Sequence, residues 1–233
     1  MSFKLKSALI GAVASVCFIQ PTLASLHQSG FYVGTSFGVS FLKGKRTDSI
    51  RNALRTLTLF TDKNLNDTSL EANFFAGYRY NPSQTNVVLS LEPFLTYGPF
   101  EHTVFRDLAP GFNGNQVATF KRGIGYGLSA RIGIIVSQNY LPYIMVGAQR
   151  DRFSYISIAP DASWAKTRKS INGIDVGVGI ETCLKGIKLA LEGKYTQYQR
   201  TTITVTEAAT GDQAIITTKP KSYSISLRFA HIF

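Results

Sequence analysis

From Gly30 onward, apolar residues recur at every second position, in stretches of the length a tilted strand needs to cross a bilayer. The pattern is clearest in the last thirteen residues. Tyr223, Ile225, Leu227, Phe229, His231 and Phe233 share one face, while Ser222, Ser224, Ser226, Arg228 and Ala230 share the other. Seven earlier stretches repeat it: Gly30 to Leu42, Leu70 to Tyr80, Val87 to Gly98, Gly123 to Val136, Leu141 to Phe153, Ile171 to Thr182 and Ile187 to Tyr198. Short turns at Asn81 to Gln84, Ser137 to Tyr140 and Cys183 to Gly186 alternate with long polar segments at Lys43 to Ser69, Pro99 to Lys121, Ser154 to Ser170 and Gln199 to Pro220. The middle of the first long segment, Ile50 to Phe60, fits either a short helix or a strand extension. Pro93 removes a ladder donor from the third stretch, and a bulge is expected there.

The second face of each stretch decides the fold. It holds glycine, serine and charge where a soluble lipocalin-like barrel would place its apolar core, so the greasy face is expected to meet lipid. The prediction is an all-β protein: an eight-stranded antiparallel up-and-down transmembrane β-barrel. Both termini and the short turns would lie on the periplasmic side and the four long segments outside. Traced in this way, Phe41, Tyr97, Tyr126, Tyr195 and Tyr223 fall near one rim and Phe31, Tyr78, Tyr80, Phe229 and Phe233 near the other, as two interfacial girdles.

Gly30-Phe-Tyr-Val-Gly34, Gly177-Val-Gly-Ile-Glu181, Leu189-Ala-Leu-Glu-Gly-Lys-Tyr195 and the closing strand resemble the OmpA-like and opacity-type eight-stranded outer-membrane surface proteins. The resemblance covers the chain after its leader. It implies a bacterial outer-membrane location, and assembly by the barrel-assembly machinery through the insertion signal Tyr223, Ile225, Leu227, Phe229 and Phe233. No peptidoglycan-binding domain is seen after the closing strand, so the wall-anchoring role of the longer OmpA proteins is not carried over.

Residues 1–24 read as a signal peptide: Lys4 and Lys6, an apolar run from Ala8 to Ile19, and a cleavage-like Thr22-Leu23-Ala24, with residues 25–233 as the barrel domain. Removing it takes Cys17 and leaves Cys183, at the start of a turn, which excludes an internal disulfide and a cysteine-based metal site. Lys and Arg number 25 against 14 Asp and Glu. An exported basic chain with no nucleic-acid motif points to anionic partners at a cell surface: lipopolysaccharide and outer-membrane lipid, or acidic host molecules.

Two sets of charges stand out. Glu71, Arg79, Glu92, Arg131, Asp175, Glu181, Lys188, Glu192, Lys194 and Arg228 lie on the inward face, where mixed signs suggest ion pairs plugging the lumen; a gated ion path is the alternative. Lys43, Lys45, Arg46, Arg51, Arg55, Arg150, Arg152, Lys166, Arg168 and Lys169 lie in the first and third loops, with Asp151 among their acids. No cofactor is expected. Small barrels that modify lipid A use His with Ser and an acid near the outer leaflet. Of His27, His102 and His231, His102 alone falls near that surface, beside Glu101, and it lacks a His-x-Ser pair. The expected function is therefore a non-enzymatic surface antigen or adhesin presenting basic loops. A narrow porin-like channel and, less favoured, a lipid A-modifying enzyme are the alternatives.

Overall fold

The structure, a computed structural model, describes residues 26–51, 61–82, 85–106, 116–136, 140–158, 164–184, 187–206 and 213–233. The leader and its expected cleavage site lie outside them, as does Arg55.

Ten strand segments follow in chain order: β1 (Gly30–Arg51), β2 (Thr61–Tyr80), β3 (Val87–Tyr97), β4 (Glu101–Arg106), β5 (Gln116–Ile134), β6 (Tyr140–Ile158), β7 (Trp164–Leu184), β8 (Ile187–Tyr198), β9 (Thr201–Thr206) and β10 (Gln213–Ile232). β4 continues β3 after a break at 98–100, pairing with the same neighbour β5, and β9 likewise continues β8 along β10. The segments thus form eight staves, every neighbour antiparallel. β1 and β10 close the barrel from Tyr32↔Ile232 to Arg51↔Gln213. At the seam's end the Phe233 amide donates to the Phe31 carbonyl at 2.8 Å. Closure leaves no edge, so each stave has a hydrogen-bonding neighbour on both sides, and the outside can be wholly apolar.

The outside is apolar. Leu70, Leu91, Leu95, Ile124, Ile174, Val178, Ile225 and Leu227 are all exposed on it, in a belt that only hydrocarbon would cover without cost. The girdles fall at two levels set by register. Phe41 stands opposite Tyr223 and Tyr223 opposite Tyr195, with ring centroids of that second pair 5.0 Å apart. Near the termini Phe31 stands opposite Tyr78, ring edge to face at 5.0 Å. Among the described residues there is no helix.

Three expectations are corrected. The long polar segments are mostly strand: β1 runs on to Arg51, β2 starts at Thr61, and β4, β9 and the upper parts of β5, β6, β7 and β10 occupy the other three. Paired Thr, Ser and charged residues satisfy a ladder in water as well as apolar ones do, so hydropathy marked the membrane boundary and not the strand end. Pro93 causes no bulge. The β2–β3 register is the same above and below it, Phe75↔Phe94 and Tyr78↔Leu91, and the ladder merely skips the missing donor. The bulge lies in β5, between Arg122 and Gly125. Cys183 sits within β7, opposite Lys188, and does not start a turn.

Candidate functional site

The inward face carries alternating large and small side chains, because eight strands enclose a space that side chains fill. Tyr143 lies over Gly179, Phe75 over Gly34 and Phe94 over Gly127, each at a place where a methyl group would collide with the ring. Charges occupy the gaps between these rings in layers.

The middle layer is a square of alternating sign. Arg131 contacts Glu92 at 2.7 Å and Glu192 at 3.1 Å, while Arg228 contacts the same two carboxylates at 2.6 and 3.3 Å. Tyr32 donates to Glu92 at 3.1 Å and Tyr143 to Glu192 at 2.9 Å. Phe75 presents its ring face to Arg228, 4.0 Å from its centroid. Towards the termini, Arg79 donates to both oxygens of Glu181 at 2.7 Å, with Lys188 buried nearby in the same lining. Towards the hairpins, Glu71 receives Lys194 at 3.3 Å and Arg122 at 3.1 Å, and Arg122 also donates to Asp151 at 2.9 Å. Tyr198 and Gln149 donate to the same Asp151 oxygen. Asp175 is fully buried, and neither of its oxygens meets a hydrogen-bond donor among the described residues. For the other carboxylates and for the guanidinium groups, pairing at these distances is what allows burial, since an isolated charge would cost several kcal/mol, on the order of the whole stability of a domain.

All ten residues expected to line the lumen point into it. Sequence reasoning missed two of the most buried members of the network. Asp151 was expected among the third-loop charges; it is instead fully buried on the inward face of β6, in series with Tyr143, Met145 and Gln149. Extending that alternation by two residues would have found it. Arg122 has the wrong parity for an inward residue of the lower strand. The bulge sets Gly123 and Ile124 against the single residue Arg152, so the inward series changes from Gly125 and Gly127 below to Arg122 and Phe120 above.

Both ends of the charged column are closed by apolar side chains. Leu42, Phe100, Phe120, Phe153, Ile171, Tyr198 and Ile203 form a buried cap on the hairpin side. Leu26, Val88, Ile135 and Leu141 do so near the termini. Two voids inside the column measure about 20 Å³ each, room for about one water apiece.

On the outside, Lys43, Lys45, Arg150, Arg152 and Arg168 are exposed above or level with the upper girdle, while Lys169, opposite the buried Phe153, continues the inward series above the cap, where it is exposed and donates to the Thr202 carbonyl at 2.8 Å. They stand on β1, β6 and β7 and so are held by strands where flexible loops were expected. The side chains of Arg46, Arg51 and Lys166 lie outside the described ones, as does that of His102, whose backbone pairs with Phe120. His231 stacks edge to face on Phe233 at 5.0 Å, at the end opposite the hairpins. Among the described residues, no group of three or more His, Cys, Asp or Glu could hold a metal ion.

A closed antiparallel wall, an apolar belt between aromatic girdles and a charge-lined interior define a membrane β-barrel. The chain matches the family model described as outer membrane protein beta-barrel domain over residues 10–233, and it belongs to that family. Among solved structures it is similar to the outer membrane protein OprG from Pseudomonas aeruginosa, with 15% identity, a TM-score of 0.58, and coverage of 89% of this chain and 98% of that one. It also resembles Neisserial surface protein A, with 15% identity, a TM-score of 0.46, and coverage of 88% and 97%. At such identity the likeness to OprG concerns the fold. No curated protein matches.

Proposed function

We propose that this chain is a non-enzymatic surface protein of the bacterial outer membrane, an antigen or adhesin that holds basic, strand-built hairpins outside the cell for anionic molecules of a host surface. The observation that carries this reading is the contrast between its two charge populations. The lumen cations Arg79, Arg122, Arg131, Lys194 and Arg228 are matched by carboxylates within the barrel, Lys188 being the exception, whereas Arg150, Arg152 and Arg168 project outward from β6 and β7 and form no ion pair among the described residues. A surface that keeps its cations unmatched attracts polyanions at long range, and salt weakens that attraction. The filled, doubly capped lumen favours this reading over a narrow channel.

The test uses refolded protein in neutral lipid vesicles over immobilised heparin and over neutral dextran. Retention on heparin at low salt, lost on addition of salt and lost in an Arg150→Gln/Arg152→Gln/Arg168→Gln variant, is expected. Equal retention on dextran, or a variant that binds heparin as well as the parent, would overturn it.

A further inference from the structure

Just above the row Phe41, Tyr223 and Tyr195, the outer face of the β1–β10 seam turns from aromatic to basic. Register places Lys43 directly opposite Lys221, and Lys45 directly opposite Lys219. Like charges facing each other across an antiparallel pair destabilise it, and here two such pairs are stacked. They border a concavity of about 1010 Å³ that Arg200 also lines, and among the described residues no acidic one lines it. None of these five cations forms an ion pair among the described residues. Elsewhere on the hairpins the protein does provide a counter-charge: Lys121 contacts Glu101 at 2.7 Å. The seam therefore concentrates uncompensated positive charge where the register makes it most unfavourable, unless an anion sits there.

Depth and shape narrow the anion. The Lys43 ammonium lies 5.9 Å from the Tyr223 ring centroid, so the charge begins where the aromatic girdle ends, at headgroup level. A second groove of about 1020 Å³ shares Arg200 and Lys219 with the first and descends past Tyr195, Val176 and Ile174 into the apolar belt. Its lower wall is apolar and suits acyl chains. We propose that Lys43, Lys45, Lys219, Lys221 and Arg200 hold the phosphates of an outer-leaflet glycolipid of the lipid A type, with acyl chains laid against Val176 and Ile174. This inference does not rest on the adhesin reading; of that reading's β6 and β7 cations only Arg150 lines the second groove, and Arg152 and Arg168 line neither.

The test takes the folded full-length barrel in uncharged detergent and titrates it with bisphosphorylated lipid A, with lipid A stripped of both phosphates, and with inorganic phosphate, read by native mass spectrometry and by the temperature of unfolding. One bisphosphorylated lipid per barrel, bound at least tenfold more tightly than the stripped lipid and not displaced by equimolar phosphate, is expected. Lys43→Gln/Lys221→Gln should weaken it by an order of magnitude or more, at roughly fivefold per lysine, yet raise the unfolding temperature in lipid-free detergent by removing a repulsive pair. Arg152→Gln/Arg168→Gln should leave lipid binding unchanged. Equal affinity for the stripped lipid, full competition by inorganic phosphate, or no effect of the lysine changes would each overturn the site. Should the double variant fail to fold, the comparison of the three ligands on the parent protein still decides.

Discussion

Arg122 reaches Asp151 inside the barrel, at 2.9 Å from Nε to Oδ2, because β5 carries one residue more than β6 across the bulge between them. Without that residue the guanidinium would face outward, and Asp151 would keep Tyr198 and Gln149 as donors but lose its cation. The pair, with Glu71 and Lys194, ties β5, β6, β2 and β8 together directly beneath the apolar cap.

Replacing Arg122 by Ala leaves Asp151 and Glu71 short of a cation in a water-poor site. A loss of about 3–5 kcal/mol is expected from breaking such a pair, measured by urea unfolding in lipid vesicles. Arg122→Met combined with Asp151→Asn and Glu71→Gln should recover much of it. A single Arg122→Ala variant as stable as the parent would remove the network's structural role.

Gly125 faces Asp151 so closely that an added Cβ would collide with the carboxylate. Gly125→Ala should therefore cost roughly 1–3 kcal/mol by pushing Asp151 off Arg122. Gly193 has no atom within 4 Å of the corresponding position, so Gly193→Ala is the matched control and should be near neutral in the same unfolding assay.

Leu227 lies mid-belt, paired with Phe37 on one side and Leu191 on the other. Leu227→Arg places a charge against the hydrocarbon and should lower folding stability in vesicles by about 2–4 kcal/mol. A much smaller loss would mean that this face does not meet the bilayer centre.

The lumen, filled and capped at both ends, should pass no resolvable single-channel current in a planar bilayer at neutral pH. Steady unitary currents from the parent protein would return the channel reading to first place.

Phe233 exposes its ring and uses its amide at the seam. If the closing strand is an insertion signal, Phe233→Ala should refold into vesicles with a stability within about 0.5 kcal/mol of the parent, while its yield in outer-membrane fractions falls several-fold. An unchanged cellular yield would argue against recognition through this residue.

Alternation alone determined the eight staves, their inward and outward faces and the girdles, because a pleated strand sends neighbouring side chains to opposite sides and lipid tolerates one kind on its side. It placed Glu92, Arg131, Glu192 and Arg228 on one surface, but which carboxylate meets which guanidinium depends on strand stagger, which has no signature in any single stretch. Only the tertiary structure decided that Arg122 faces inward, since a bulge of one residue inverts a face and Gly123 marks it no more strongly than other strand glycines. The same holds for the opposition of Lys43 to Lys221. Those residues are far apart in sequence and become neighbours when the first and last strands close, where closure fixes the register of every pair along the seam.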